Sequence, residues 1–374
     1  MEKEVVSINR ERLCREFESF TAIDSVSFDE RKTADKLKAA LCELGFEVQE
    51  DRAGEYYGGN AGNVYGFLRG NLPGPGVLLS AHMDTVSPGI GKKAVFGEDG
   101  IIKSEGNTVL GADDVAGIVE ILEGIRCVRE AGLSHRDVEV LFPIGEEVFT
   151  KGTKVFDFSK IRAKEAYVLD LSGAVGTAAL QAPTLISFTA EITGKAAHAG
   201  FHPEDGVHAI EIMCRGISEI AQGRIDEETT FNIGLISGGE AVNIVPDSCI
   251  CRGEIRSFSH EKALAVLERT REQFRKTAKA YHAGFRMEST VDLKAYQVER
   301  ETSVVKRFTD ACGRLGIPWN LIRTFGGSDN HNFLLHGING IVLSCGMYEA
   351  HSVREYTTVK DLEYGAGLVA ELIR

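Results

Sequence analysis

Apolar positions gather into runs along the first half of the chain and into alternation along a later stretch. Val77, Leu78 and Leu79 are consecutive in GVLLSAHMD (76–84), and NVYGFLRG (63–70), DVEVLFPIGEE (137–147) and EAYVLDLS (165–172) have the same character. FEVQED (46–51) adds a shorter candidate. Nearly continuous apolar strands belong to sheets covered on both faces. Helical spacings lie between them. Positions 34, 37, 41 and 44 share one helix face after Ser27-Phe-Asp-Glu30, a capping-box pattern. DDVAGIVEILEGIRCVREAG sets Val115, Ile118, Leu122 and Ile125 on one face, and Asp99-Gly100 marks a hairpin. Strands alternating with helices predict an α/β fold: a mixed, largely parallel sheet flanked by helices.

After about residue 183 the period changes. LISFTAEITGK alternates, a helix follows over roughly 204–222, and TTFNIGLISGG and DSCICRGEIRS read as strands. A long polar helix (about 260–283) and FRMESTVDLKAY complete a β-α-β-β-α-β order. That order predicts a four-stranded antiparallel sheet with two helices on one face. The first pattern resumes near 297, through GINGIVLSCG, to a C-terminal helix. Residues 1–183 and 297–374 are therefore expected to form one domain, and 184–296 a second, α+β domain inserted into it. For 374 residues, two domains are the ordinary expectation.

Composition narrows the function classes. A net charge of −13 argues against nucleic acid, which needs clustered Lys and Arg. No apolar run approaches a membrane span, and the charged start MEKEVVSINRERLCREF lacks the apolar core of a signal peptide. Eight cysteines without CxxC pairing read as reduced thiols, so a cytoplasmic location is expected.

In open α/β sheets, sites form beyond the carboxyl ends of the strands. His82 and Asp84 end one run, two positions apart, and side chains at that spacing on a strand share a face. Asp113-Asp114 opens a helix, Glu146-Glu147 ends another run, Asp170 a fourth, and His351 follows the last. Each has an ordinary reading alone: a helix cap, a solvated pair, a turn residue, a loop histidine. Five strand ends doing this together make the ordinary reading a poor one. Carboxylates crowded into one cleft repel, and a pair of divalent cations resolves that conflict. Two imidazoles and several carboxylates without cysteine suit zinc or a similar ion in an open site.

With these residues the chain resembles the dinuclear zinc exopeptidases of the peptidase T, carboxypeptidase G and aminoacylase family, and peptidase T-like tripeptidases in particular. The resemblance runs in order through SAHMDTV, LGADDVAG, PIGEE, YVLD, AAHAGFHPEDGVHA, VNIVPD, GEIR, GGSDNHNF and AHSVRE. It implies an aminotripeptidase acting on short peptides, with two zinc ions per chain for which cobalt or manganese substitutes. His82, Asp113 and Asp170 would hold one ion, and Asp113, Glu147 and His351 the other. Glu146 would be the general base toward a zinc-bridging water, and Asp84 would orient His82. Asp113-Asp114 corresponds to a cis peptide. The inserted domain would be a lid carrying His198, which polarises the scissile carbonyl. Arg256, Asn243, Gly327 and Ser328 match positions facing the substrate. A homodimer formed through the lid is a further expectation.

Three departures touch the substrate path. His208 stands where the family usually has Asn, His202 is an additional histidine, and Val148-Phe149 replaces small polar residues. Gly89-Ile-Gly-Lys-Lys-Ala94 mimics a dinucleotide fingerprint, but a hairpin is expected after it where a helix is required. Two other readings stay open: an N-acyl amino acid amidohydrolase or carboxypeptidase with the same centre, and a metal-binding homologue without catalysis. Retention of Glu146 argues against the latter.

Overall fold

A computed structural model describes residues 6–374; the first five residues of the charged N-terminal stretch lie outside the described residues. The chain divides into two compact units, one of residues 6–180, Val298–Arg323 and Ser328–Arg374, the other of Gln181–Gln297 and Thr324–Gly327.

The first unit is built on a mixed sheet. Its centre is parallel, in the order Val138–Phe142, Val77–Ser80, Glu165–Ser172, Asn339–Met347. Antiparallel strands extend it on both sides: Val64–Leu68 and Glu47–Glu50 beyond the first, Thr177–Ala182 beyond the last. Every residue of Val64–Leu68, Val77–Ser80 and Val138–Phe142 is buried, as two-sided coverage requires. The helix Ala112–Glu130 is more deeply enclosed than its one-face periodicity implied, with an unbroken buried run from Ala112 to Ile125. It can approach the helix Val359–Leu372 closely because position 124 is Gly, where a Cβ would lie 2.5 Å from the Ala366 carbonyl oxygen.

Two local expectations are corrected. The strands end earlier than their apolar runs, at Ser80 and Phe142, so His82, Asp84, Glu146 and Glu147 all lie in the loops beyond them. The Phe142 boundary has a simple cause, since Pro143 has no N–H to continue a ladder. The capping box at Ser27–Glu30 does not form. The helix Arg31–Glu43 begins without a side-chain cap, because Ser27 donates to Asp84 and Glu30 accepts from the Phe28 and Gly145 N–H groups. The hairpin at Asp99-Gly100 joins Ala94–Phe96 to Ile101–Ser104, so the fingerprint-like segment runs into a strand.

The second unit carries an antiparallel sheet of five strands, one more than expected. Gly223–Asp226 forms a short hairpin with Thr229–Gly238, followed across the sheet by Ser248–Ser257, Thr184–Thr193 and Gly284–Leu293. The added strand has no apolar alternation to announce it and is mostly exposed. The helices Ala209–Ser218 and His260–Ala280 share a core with the sheet that includes Ile186, Phe188, Met213, Phe231 and Phe274. Among the described residues no helix is long and apolar enough to cross a membrane.

Candidate metal centre

In the first unit the strand-end turns bring two histidines to one carboxylate. His82 Nδ1 lies 2.8 Å from the backbone oxygen of Asp84, so Nε2 is the pole left for the centre. That Nε2 is 2.9 Å from Asp113 Oδ1 and 3.9 Å from Asp170 Oδ1. The other oxygen of Asp113, Oδ2, lies 3.1 Å from His351 Nε2, which is itself 2.9 Å from Glu147 Oε2. One carboxylate therefore spans two imidazoles, with Asp170 toward one and Glu147 toward the other. The Asp113–Asp114 peptide is cis.

Asp84 has a different emphasis from the one expected. Its carboxylate is 3.5 Å from His82 Nδ1, farther than its own backbone oxygen. It accepts instead from the N–H groups of Glu146 (2.9 Å) and Glu147 (3.2 Å) and from Ser27 Oγ (2.7 Å). Glu30 adds a bond from Gly145 N at 3.0 Å. Three consecutive N–H groups are thus held by two buried carboxylates, and because the strand has ended the adjacent Glu146 and Glu147 are free to diverge. Asp114 accepts from His82 N at 3.1 Å. Glu355 accepts from Gly111 and Asp113. Sequence reasoning assigned Glu30 only a capping role and Asp114 only a place in the cis peptide, and Glu355 none. The signal present was an acidic residue beside each motif, which ordinary surface acids also supply.

The electrostatics show a donor set out of balance without cations. Burial pushes Glu146 well up, His82 opposes it, and Asp329, Glu147 and Asp84 add to the rise. Burial, then Glu146, does the same to Asp170. Burial also raises Asp113, but hydrogen bonds with His351 and His82 outweigh it and leave it below the usual carboxylate range. His351 is pushed up to about 10 by Asp113 and Glu147. Glu147 Oε1 is buried with no hydrogen-bond partner. A buried, unpaired carboxylate oxygen beside two imidazoles and further carboxylates, with no thiol in the set, fits a pair of divalent cations. The ligand atoms of His82, Asp113 and Glu147 lie within 4.8 Å of one another, as do those of His82, Asp114 and Asp170.

Ser328, also in this unit, has a buried Oγ with no partner. In the second unit His198 Nδ1 accepts from Gly200 N (3.1 Å) and Phe201 N (3.2 Å). In the neutral ring this leaves the hydrogen on Nε2, a donor. Asn243 is brought beside it, its backbone oxygen accepting from Ala199 N at 2.9 Å. Arg256 is not a free fork. Its Nε and Nη2 donate to Glu254 at 2.9 and 3.0 Å, and Nη1 donates to the Phe325 carbonyl at 2.8 Å. Phe325 lies two residues before Gly327, against which Leu293 packs. His208 caps the helix Ala209–Ser218, its Nδ1 accepting from Glu211 N at 3.2 Å, the bond an Asn cap would make. His202 is exposed, 3.6 Å from Glu204.

Known proteins match both units. The peptidase dimerisation domain profile matches residues 182–282, and that of peptidase family M28 matches residues 63–201. The uncharacterized protein YqjE of Bacillus subtilis (strain 168) is 36% identical over 98% of each chain. Among solved structures, a tripeptidase from Staphylococcus aureus superposes with a TM-score of 0.94 at 33% identity, over 98% of each chain. The aminopeptidase PepT from Bacillus cereus superposes at 0.89 with 37% identity, again over 98% of each. With relatives this similar along both units, and a centre in which one carboxylate spans two histidines, the chain belongs to the metallo-exopeptidase family of peptidase T, carboxypeptidase G and aminoacylase, with its peptidase T-like members.

Proposed function

We propose that the protein is a metal-dependent aminotripeptidase that releases the first residue of short peptides with a free amino end. The observation that carries the chemistry is Asp113, whose two oxygens lie 2.9 and 3.1 Å from His82 and His351. In this reading two ions, zinc by preference with cobalt or manganese as substitutes, are held by His82, Asp113 and Asp170 and by Asp113, Glu147 and His351. When bound they supply Lewis acidity and make water a nucleophile near neutral pH.

Glu146 takes the proton of the attacking water and returns it to the departing amine. A carboxyl raised by burial suits a group that must both accept and give back a proton near neutrality. Asp84 holds the backbone of that base. His198 offers Nε2–H to the developing oxyanion, and Arg256, Asn243, Gly327 and Ser328 contact the substrate. The exposed Leu235, Ile236 and Val242 of the second unit support a homodimer through that unit. Eight unpaired cysteines support a cytoplasmic location.

Turnover of a panel of free tripeptides, dipeptides, N-acetylated peptides and N-acyl amino acids tests the reading. Free tripeptides are expected to be the best substrates and N-acetylation to abolish turnover. Turnover confined to N-acyl amino acids would replace this function with amidohydrolase activity.

A further inference from the structure

Asp113 occupies the point where the two halves of the centre meet, yet its own helix does not hold its backbone. The first N–H groups of a helix have no partner within it and are ordinarily met by a side chain at the cap. The backbone is not helical at Asp113 and Asp114, and the regular helix starts after them, where Asp114 Oδ1 accepts from Gly117 N at 3.3 Å; Gly111, left-handed at φ 77°, lies before the kink and has no side chain to offer the N–H groups there. A Cβ at Gly111 would lie 3.0 Å from Lys92 Cε, a tight contact for any side chain. The missing acceptor comes from the far end of the chain. Glu355, 2% exposed, accepts from Gly111 N through Oε2 at 2.7 Å and from Asp113 N through Oε1 at 2.9 Å. It stands four residues after His351, whose Nε2 meets the same Asp113.

We infer that Glu355 is a positioning residue that fixes the Asp113 carboxylate between the two cation positions and so sets the affinity of both. This rests on the reading of Asp113 as a bridging ligand. The two oxygens of Glu355 carry one N–H each, so both must be acceptors. An amide has one acceptor and would turn its NH₂ against a backbone N–H. Glu120 provides the contrast. It lies on the same helix and is fully buried, but neither of its carboxyl oxygens has a hydrogen-bond partner, so Gln there removes no hydrogen bond.

The test is metal retention by the full chain loaded with zinc, followed by graded chelator competition and by metal content per chain. Glu355→Gln is expected to weaken retention of both ions by about 10- to 100-fold, the usual effect of removing a group that orients a ligand. Glu120→Gln should stay within twofold of wild type. Glu355→Asp keeps two acceptor oxygens on a shorter stem and should fall between wild type and Gln; if the Gln variant does not fold, Asp against wild type becomes the test. Unchanged retention in the folded Glu355 variants overturns the inference. So does loss of the His351-side ion alone, because a group acting through Asp113 must affect both. Wild-type protein that binds fewer than two ions would instead sink the bridging reading, leaving the two failures distinguishable.

Discussion

Replacing Glu254 by Gln should improve binding of peptides that end in a free carboxylate. An arginine fork matches such a group bidentately, and Arg256 matches a position facing the substrate, but two of its donors already meet Glu254, at 2.9 and 3.0 Å, from the same strand. A substrate carboxylate entering that fork must displace one belonging to the protein. The side chains are 28% and 33% exposed, which puts the pair in the class worth roughly 0.2–1 kcal/mol. Removing the competitor should therefore tighten binding of tripeptide acids by about 1.4- to 5-fold, since about 1.4 kcal/mol is tenfold. Tripeptide amides, with no carboxylate to place, should be unaffected. Arg256→Lys keeps the charge and loses the bidentate fork, so it should weaken acids more than amides. The assay is competitive inhibition by slowly hydrolysed tripeptide acids and amides, with kcat/KM for cleavable pairs. Equal shifts for acid and amide in both variants would remove Arg256 from carboxylate recognition. A loss of acid binding in Glu254→Gln would mean that Glu254 aims Arg256 and does not compete for it.

The adjacent glutamates should separate cleanly: Glu146→Ala keeps both ions and loses about two to four orders of magnitude in kcat, whereas Glu147→Ala loses affinity for one ion. Metal content read beside kcat checks this, and the opposite pattern would exchange the two roles. Exhaustive chelation should abolish activity and lower the melting temperature, with zinc or cobalt restoring both; a site held at about a hundredfold its dissociation constant stabilises the fold by about 2.7 kcal/mol. Full activity after chelation would exclude the metal mechanism. His208→Asn should leave stability nearly unchanged, whereas His208→Ala costs about 1 kcal/mol by thermal unfolding, because Asn can still accept the Glu211 N–H.

The fold was legible wherever burial imposed a pattern. Val77–Ser80 and Val138–Phe142 are covered on both faces, so their sequences are mostly apolar, and the two polar residues among them, Ser80 and Glu139, are buried with hydrogen-bond partners. The strand Gly223–Asp226 sits at an edge with most of its residues exposed, and such a strand leaves no periodicity to read. Ser27–Glu30 misled for a related reason. A capping box is a statement about local partners, and here Asp84 and Gly145, far along the chain, compete successfully for the same side chains.

The site divides along the same line. His82, Asp113, Asp170, Glu147 and His351 stood out as candidates because metal chemistry restricts residue type, and the structure brings their side chains together in the first unit. What aims them is backbone bonding, which restricts residue type far less. Glu30, Asp84 and Glu355 each accept at least two backbone N–H groups from turns that carry, or adjoin, the histidines and carboxylates of the centre. Any chain of this length has carboxylates in surplus, and nothing local distinguishes one that reaches a turn 62 to 244 residues away. The arrangement also explains how a centre so rich in negative charge can be built from turns at all. Charges that repel one another would drive flexible loops apart, but here the loops are clamped by their main chains, so the side chains stay together until cations neutralise them. Among the clamping groups burial pushes Glu30 and Glu355 up to about 7, whereas Asp84, raised by burial but held below the usual carboxylate range by His82, stays anionic and adds to the electrostatic demand that cations would meet.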